Sequence, residues 1–315
     1  MVFRKESSAH NLEQGISRNV GATHYVIWRE PGAGFFSILS GILGHLHIAE
    51  TFGLQPVIDM QNYPGTYSES EPILGTHNMW EYYFQPVGRI ESVGGMDSMQ
   101  MVDSGGQYPF QVLNFPYAAV PWLPAIYDRY VRLRDESISA IDAARIAIEP
   151  DDATLAVHFR GKEMRNALHH PMPPSEQQIL RRIDLCLEQH SFDRIFLVTE
   201  GADYVDAFKR RYGRMVNYLD VARSGSENID HEYPRPHHRY LLGLEILTEA
   251  SLMSECGGLV CGYSNVSQMT EVMARGNFKV LERIWNGKLR GGRFVAQHLW
   301  NFRSRAPRIL GGFNP

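Results

Sequence analysis

The sequence predicts an α/β protein built from two Rossmann-like, doubly wound domains facing a cleft. Three stretches carry that prediction. Residues 155–165, LAVHFRGKEMR, run from an apolar segment straight into a polar loop with a glycine. Residues 258–273, GLVCGYSNVSQMTEVM, repeat the form as apolar strand, Ser-Asn turn and helix. Residues 23–60 give strand, glycine loop, helix and strand in succession. Repeated strand-loop-helix order builds parallel sheets, whose ligands bind outside the carboxyl ends of the strands. That rim is where a site is expected.

In chain order, residues 1–20 are polar and read as irregular. Residues 23–29, THYVIWR, are rich in β-branched and aromatic side chains and read as a strand. The loop EPGAGFFS follows, and 36–52 carries apolar residues at helical spacing, with Gly53 as its stop. Residues 54–60, LQPVIDM, make a second strand, so 23–60 is a βαβ unit. Residues 61–123 hold many aromatics, prolines and glycines with few clear periods, and read as loops and short helices. Residues 126–148 read as one helix, irregular near Ser137 or Asp142. The run Glu149-Pro150-Asp151-Asp152 suits a junction, because proline and clustered acids end helices and stay solvated.

Beyond the strand at 155–157, Ser175 is placed to cap a helix reading EQQILRRIDLCLEQH. Strands are expected at 194–199, 215–219, 259–261 and 279–281, with helices at 203–212, 240–254 and 266–274. The predicted division is 1–149, 150–290 and a segment 291–315 that crosses back to the first domain.

Composition narrows the class. A chain of 315 residues, 43% hydrophobic and 21% charged, has the profile of a soluble globular protein. A net charge of -4 argues against a general nucleic-acid binder, while allowing one basic pocket for an anion. Three cysteines without a CxxC pair fit a reducing compartment, and the N-terminus lacks the apolar run of a secretory signal. No apolar run reaches the ~18 residues of a membrane span. The expectation is a cytoplasmic protein.

The chemistry gathers at the predicted strand ends. His158 and Arg160 lie two apart, so on an extended backbone they point the same way, and Gly161 permits a sharp turn or a close approach to a ligand. Arg160, Lys162 and Arg165 on one short segment suit a diphosphate; a solvated loop paired with nearby acids explains them equally. Ser264, Asn265, Val266 and Ser267 begin a helix, where hydroxyls, backbone N–H groups and the helix dipole form an anion site or simply a cap. Glu200, ending RIFLVTE, is placed either to accept from a ribose or base or to cap the next helix. Gly32 and Gly34 fall short of a dinucleotide fingerprint but suit a backbone loop facing the cleft. Glu30 beside them either meets a substrate hydroxyl or is a plain exposed acid. The doublets His169-His170 and His237-His238 point to alternate sides and lack a third ligand, so no metal site is predicted.

Taken together, VHFRG at 157–161, LVTE at 197–200, ARS at 222–224, LLGLEILTEASLMSEC at 241–256 and GYSNVS at 262–267 resemble, in order and spacing, an inverting fucosyltransferase superfamily. It joins the nodulation and core α-1,6-fucosyltransferases with the protein O-fucosyltransferases. The resemblance covers roughly the second half, and GAGFFS with its helix and the VID strand is similar to that family's first βα unit. It implies a GT-B fold, a GDP-sugar donor (GDP-fucose first), no cofactor, and inversion without a required metal. It implies that Arg160 holds the β-phosphate and stabilises departing GDP, with His158 and Gly161 in the same loop. It also implies that Arg223, Glu249 and Ser264 to Ser267 lie on the nucleotide side. Glu200 and Glu249 stand where the family has Asp, and Phe35-Phe36 where many relatives carry Asn-Gln.

The implied activity is transfer of fucose to a glycan or other hydroxyl acceptor. Arg160 is the expected catalytic cation and Glu30 the candidate base or hydrogen-bond acceptor. The alternatives are a GDP-sugar-binding protein with impaired turnover, or another α/β enzyme using a nucleotide diphosphate.

Overall fold

The computed structural model describes residues 21–89, 100–160, 165, 170–223, 235–288 and 293–313. The chain divides into two compact units, Met1–Ala140 with Tyr233–Ile246, and Ile141–Glu232 with Leu247–Pro315. Each contains a parallel sheet.

The sheet of the first unit has the order β2-β1-β3, all parallel. Strand β1 (His24–Ile27) lies at its centre, and Tyr25 and Ile27 are fully buried. Helix α1 (Phe35–Thr51) follows and lays Ile38, Leu39, Ile42, Leu43 and Leu46 into the core. Strand β2 (Gln55–Ile58) completes the βαβ unit expected from the sequence. Strand β3 (Met101–Asp103) was not expected: three residues among polar and glycine neighbours are too short to show an alternating pattern. It binds the other edge of β1, pairing His24 with Met101 and Val26 with Asp103.

The predicted helix at 126–148 is two helices, α2 (Leu123–Tyr130) and α3 (Asp135–Ile148). The break falls at 131–134 rather than at Ser137 or Asp142. There the chain pairs with the aromatic segment: Gln85 N–H donates to Arg132 O at 2.7 Å, and Arg134 N–H to Tyr83 O at 3.0 Å. Ser137, suspected of breaking the helix, is fully buried and donates to the same Tyr83 carbonyl at 2.9 Å. A tertiary hydrogen bond has overridden a local signal.

The sheet of the second unit has the order β6-β5-β4-β7-β8, all parallel. Strand β4 (Thr154–Phe159) is central and buried along its whole length. Helix α4 (Glu176–Gln189) starts with a capping box in which Ser175 Oγ accepts from Gln178 N–H and Gln178 reaches back to Ser175 N–H. Strand β5 (Arg194–Thr199) and helix α5 (Ala202–Tyr212) follow. Where a five-residue strand was expected at 215–219, a 3-10 turn leads into the two-residue β6 (Val216–Asn217). Helix α6 (His238–Ser254) leads to β7 (Gly258–Gly262), α7 (Asn265–Met273) and β8 (Val280–Ile284). Helix α8 (Arg293–Arg305) ends the described elements with a short 3-10 turn. Its Trp300 packs with Met172 and Phe313 and donates Nε1–H to Pro173 O at 2.9 Å.

The core of the second unit gathers Leu155, Val157, Ile195, Leu197 and Val260 from one face of this sheet, with Ile183 of α4 and Phe208 of α5 packed against it. At about 25 cal/mol per Å² of apolar surface removed from water, each such side chain contributes on the order of 2 kcal/mol. All three cysteines are buried and unpaired by disulfide. Among the described residues no helix is long and apolar enough to cross a membrane.

Candidate active site

The strand order fixes where a ligand can enter. From β4 the chain adds β5 and β6 on one side, then returns to place β7 and β8 on the other. The connections diverge between β4 and β7, and such switch points leave a crevice at the carboxyl ends of the strands. Register places the candidate residues there. His158 lies opposite Val198 on one side and Cys261 on the other, and Phe159 lies opposite Thr199. One step on, Arg160 and Glu200 leave their strands side by side, and two steps beyond β7 comes Ser264.

Arg160 donates from Nε to Glu200 Oε2 at 2.8 Å. The Arg160 side chain is 35% exposed, so the cation is held by a carboxylate at the edge of solvent. Neither sequence reading of Glu200 anticipated this role. It does not cap α5, whose N-cap is Gly201 with no side-chain bond. The pairing follows from register, since two parallel strands of equal length bring the residues after them together.

His158 is buried beneath this pair. Burial first, and the Arg160 charge second, lower its pKa to about 3. A neutral imidazole is therefore fixed at the end of β4. Gly161 and Lys162 lie outside the described residues. Arg165, grouped with them in sequence, is engaged elsewhere: its Nη2 donates to Tyr204 OH at 3.1 Å and its guanidinium stacks 4.0 Å from the Trp300 ring.

At the start of α7, Ser264 and Ser267 form a reciprocal cap. Ser264 Oγ accepts from Ser267 N–H at 3.0 Å, and Ser267 Oγ accepts from Ser264 N–H at 3.1 Å. Ser267 Oγ also donates to Gly262 O at 2.8 Å, which ties the turn to the end of β7. This cap consumes two N–H groups, while those of Asn265 and Val266 meet no protein acceptor among the described residues. The side-chain Oδ1 of Asn265 is likewise buried without a hydrogen-bond partner there. The turn is a cap and still presents a polar edge at the positive end of a helix dipole.

Arg223 and Glu249, both placed on the nucleotide side from sequence, face one another. Arg223 Nη2 lies 4.0 Å from Glu249 Oε1, and the side chains are 8% and 11% exposed. The Arg223 guanidinium also lies 5.1 Å from the Tyr218 ring, while its Nε and Nη2 are buried without hydrogen-bond partners among the described residues. A separation of 4.0 Å is too long for a hydrogen bond, so this ion pair is loose.

In the first unit, Glu30 is exposed beyond β1. Gly32 adopts φ +93, a conformation that favours glycine, and donates N–H to Thr66 Oγ1 at 3.2 Å. Gly34 is the N-cap of α1. Phe35 and Phe36 are core residues. Phe35 packs edge-on to Tyr83 and Tyr67, with ring centroids 5.0 and 5.6 Å away.

Sequence reasoning missed Arg29, the neighbour of Glu30. It is 7% exposed, lies 3.7 Å over the Tyr108 ring and donates from Nη2 to Ser37 Oγ at 3.2 Å. Burial lowers its pKa to about 10. Its position two residues past the central strand was the available signal. Much of the aromatic segment also proves to be core, with Trp80, Tyr82, Tyr83 and Phe84 all buried.

Two parallel, doubly wound sheets, one with a cation, a carboxylate and a capped helix start about its switch point, make an α/β fold of the GT-B type. No family model and no curated protein matches the chain by sequence. Among solved structures it is similar to the fucosyltransferase NodZ from Bradyrhizobium, with TM-score 0.54 and 14% identity, covering 82% of this chain and 96% of that one. POFUT1 in complex with GDP aligns with TM-score 0.52 and 11% identity, over 83% of this chain and 98% of that one. NodZ α-1,6-fucosyltransferase soaked with GDP-fucose aligns with TM-score 0.50 and 15% identity, over 80% and 92%.

Proposed function

We propose that this chain is a glycosyltransferase that moves fucose from GDP-fucose to a hydroxyl of a glycan or other acceptor, with inversion and without a required metal. The observation that carries the reading is the switch point of the second sheet, where Arg160 with Glu200 and the start of α7 follow adjacent parallel strands. The shared fold supports it, since solved neighbours include complexes with GDP and GDP-fucose.

In the proposed reaction the acceptor oxygen forms a bond to the anomeric carbon as the bond to the β-phosphate oxygen breaks. The electron pair leaves with GDP, and negative charge grows on the diphosphate. Arg160 and the Asn265 and Val266 N–H groups stabilise that charge. Preorganised donors of this kind are worth several kcal/mol where the charge develops. Glu200 fixes the Arg160 guanidinium through its Nε. Neutral His158 holds the end of β4 beneath Arg160. Arg223 and Glu249 hold the nucleoside side. Glu30, with the Gly32 to Gly34 loop beside it, takes the hydroxyl proton or its hydrogen bond.

A second reading, a GDP-sugar-binding protein with weak turnover, is favoured by one observation: the Arg160 guanidinium is already engaged by a carboxylate. Thermal denaturation with GDP, UDP and ADP, followed by GDP-fucose consumption, tests both. At a ligand concentration of 100 Kd, native-state binding adds about 2.7 kcal/mol. Selective stabilisation by GDP with release of GDP from GDP-fucose supports the transferase. Stabilisation without turnover leaves the binder, and equal or absent responses to all three nucleotides sink both.

A further inference from the structure

The second unit contains a groove of about 1100 Å³ that has no part in the proposed donor site. It runs between the first turns of α4, the end of β8 with the residues after it, and the C-terminal Arg303 and Gly311 to Phe313. Its volume lies at the upper end of small-ligand sites, roughly 300–1,000 Å³, so an extended ligand fits it better than a single ring.

Its charge is unlike that of the chain. Five arginines, at 181, 182, 211, 283 and 303, line it against two acids, Glu176 and Asp184. The chain as a whole carries a net charge of -4. Three of the five are paired, Arg182 with Glu282 at 3.2 Å, Arg211 with Asp184, and Arg283 with Glu271. Arg181 and Arg303 have no acidic partner among the described residues. Two uncompensated guanidiniums in one concavity present forked donors to oxyanions.

Two further features narrow the ligand. The α4 N-terminus has a capping box, with Ser175 Oγ accepting from Gln178 N–H at 3.3 Å, and, unlike α7, an acid in its first turn, Glu176, whose charge disfavours a phosphate at that helix start. Trp285, directly after β8, is 51% exposed, and its ring stands edge-on to Tyr263 with centroids 4.9 Å apart. An indole held in place by a second ring offers a flat amphipathic face. The wall between is rigid: Gln178 Nε2 donates to Asn286 Oδ1, and Asn286 Nδ2 to Gln178 Oε1, each at 2.9 Å.

We propose that this groove binds an acidic oligosaccharide, with Arg181 and Arg303 meeting its carboxylates and Trp285 stacking against a sugar ring. The site stands apart from the donor reading, and its success or failure is independent of GDP.

Titration calorimetry with tetragalacturonate as the probe tests it, with chitotetraose as the neutral control and hexaglutamate as the acidic non-sugar control. Tetragalacturonate is expected to bind more tightly than either control and to weaken as salt rises. The R181S/R303S double variant is expected to bind at least tenfold more weakly, and Trp285→Ala several-fold more weakly. Should the double variant lose its thermal transition, Arg181→Ser alone, at an exposed position, is expected to bind about threefold more weakly. Absence of binding to wild type overturns the proposal. Unchanged affinity in the variants, or binding of either control as tight as that of tetragalacturonate, does the same.

Discussion

Each sheet sends an arginine past the carboxyl end of its central strand, and the two are held in opposite ways. Arg160, after β4, is gripped by Glu200 at 2.8 Å with its side chain 35% exposed. Arg29, after β1, is 7% exposed, stacked on Tyr108 and bonded to Ser37, with Nε and Nη1 buried and without hydrogen-bond partners among the described residues. Burial lowers the Arg29 pKa to about 10. A cation kept beside water by a carboxylate can exchange water for a ligand at small cost. A cation already stripped of water is a packing element whose desolvation has been met in folding.

That contrast is open to direct attack, beginning with the largest effect. Arg160→Ala is expected to lower transfer from GDP-fucose by about 10²–10³-fold, the loss typical of one oxyanion-stabilising donor, with its thermal transition unchanged. A comparable loss of turnover in an Arg29 variant would erase the distinction.

The second prediction concerns pH. His158 in the second unit and His45 in the first are held neutral by burial, at about 3 and about 4. His45 accepts from Tyr25 OH at 2.7 Å through Nδ1 and shares Nε2–H with Gln107 O at 2.8 Å. Both lie below the unfolded value near 6.5, so the folded chain binds fewer protons than the unfolded one as pH falls. Their contribution is complete above about pH 6.5 and is lost toward pH 4, at up to about 1.4 kcal/mol per pH unit for each. Urea midpoints from pH 7 to 4.5 should fall accordingly, and His158→Gln should flatten the decline. An unchanged slope in that variant would count against a neutral imidazole there.

Third, Glu200→Gln keeps the shape of the Arg160 contact and removes its charge. Turnover should fall about tenfold, equivalent to about 1.4 kcal/mol. A faster variant would mean that the carboxylate restrains the guanidinium rather than aiming it. Last, Arg29→Met should raise stability by about 1 kcal/mol in chemical denaturation, since an apolar chain of similar length removes a buried charge. A loss of stability would show that the Ser37 and Tyr108 contacts outweigh the burial of that charge.

The second unit was far more legible from sequence than the first, and strand length explains why. Six residues of β4 and six of β5 are buried almost end to end, and apolar runs of that length stand out. The first strand of the first sheet was legible from a short β-branched and aromatic run, while the three residues of β3 showed no pattern. Cap chemistry was local and therefore readable at Ser175 and Ser264. Ion pairs between distant strands were not: Arg160–Glu200 and Arg223–Glu249 exist only once register or a helix face brings them together. The arginine groove was silent for the same reason, since its five cations are scattered from residue 181 to 303.

The two units are nested along the chain. Residues 233–246, the opening part of α6 included, belong to the first unit. There Tyr240 stacks on Tyr83 with centroids 5.6 Å apart, and the Tyr83 hydroxyl donates to Tyr240 O at 3.0 Å. Gly243 is required because a methyl at that position would stand 2.2 Å from the Tyr83 oxygen. During synthesis the amino-terminal body therefore waits, incomplete, until residues 233–246 have left the ribosome, by which point residues 141–232 of the second unit have already emerged.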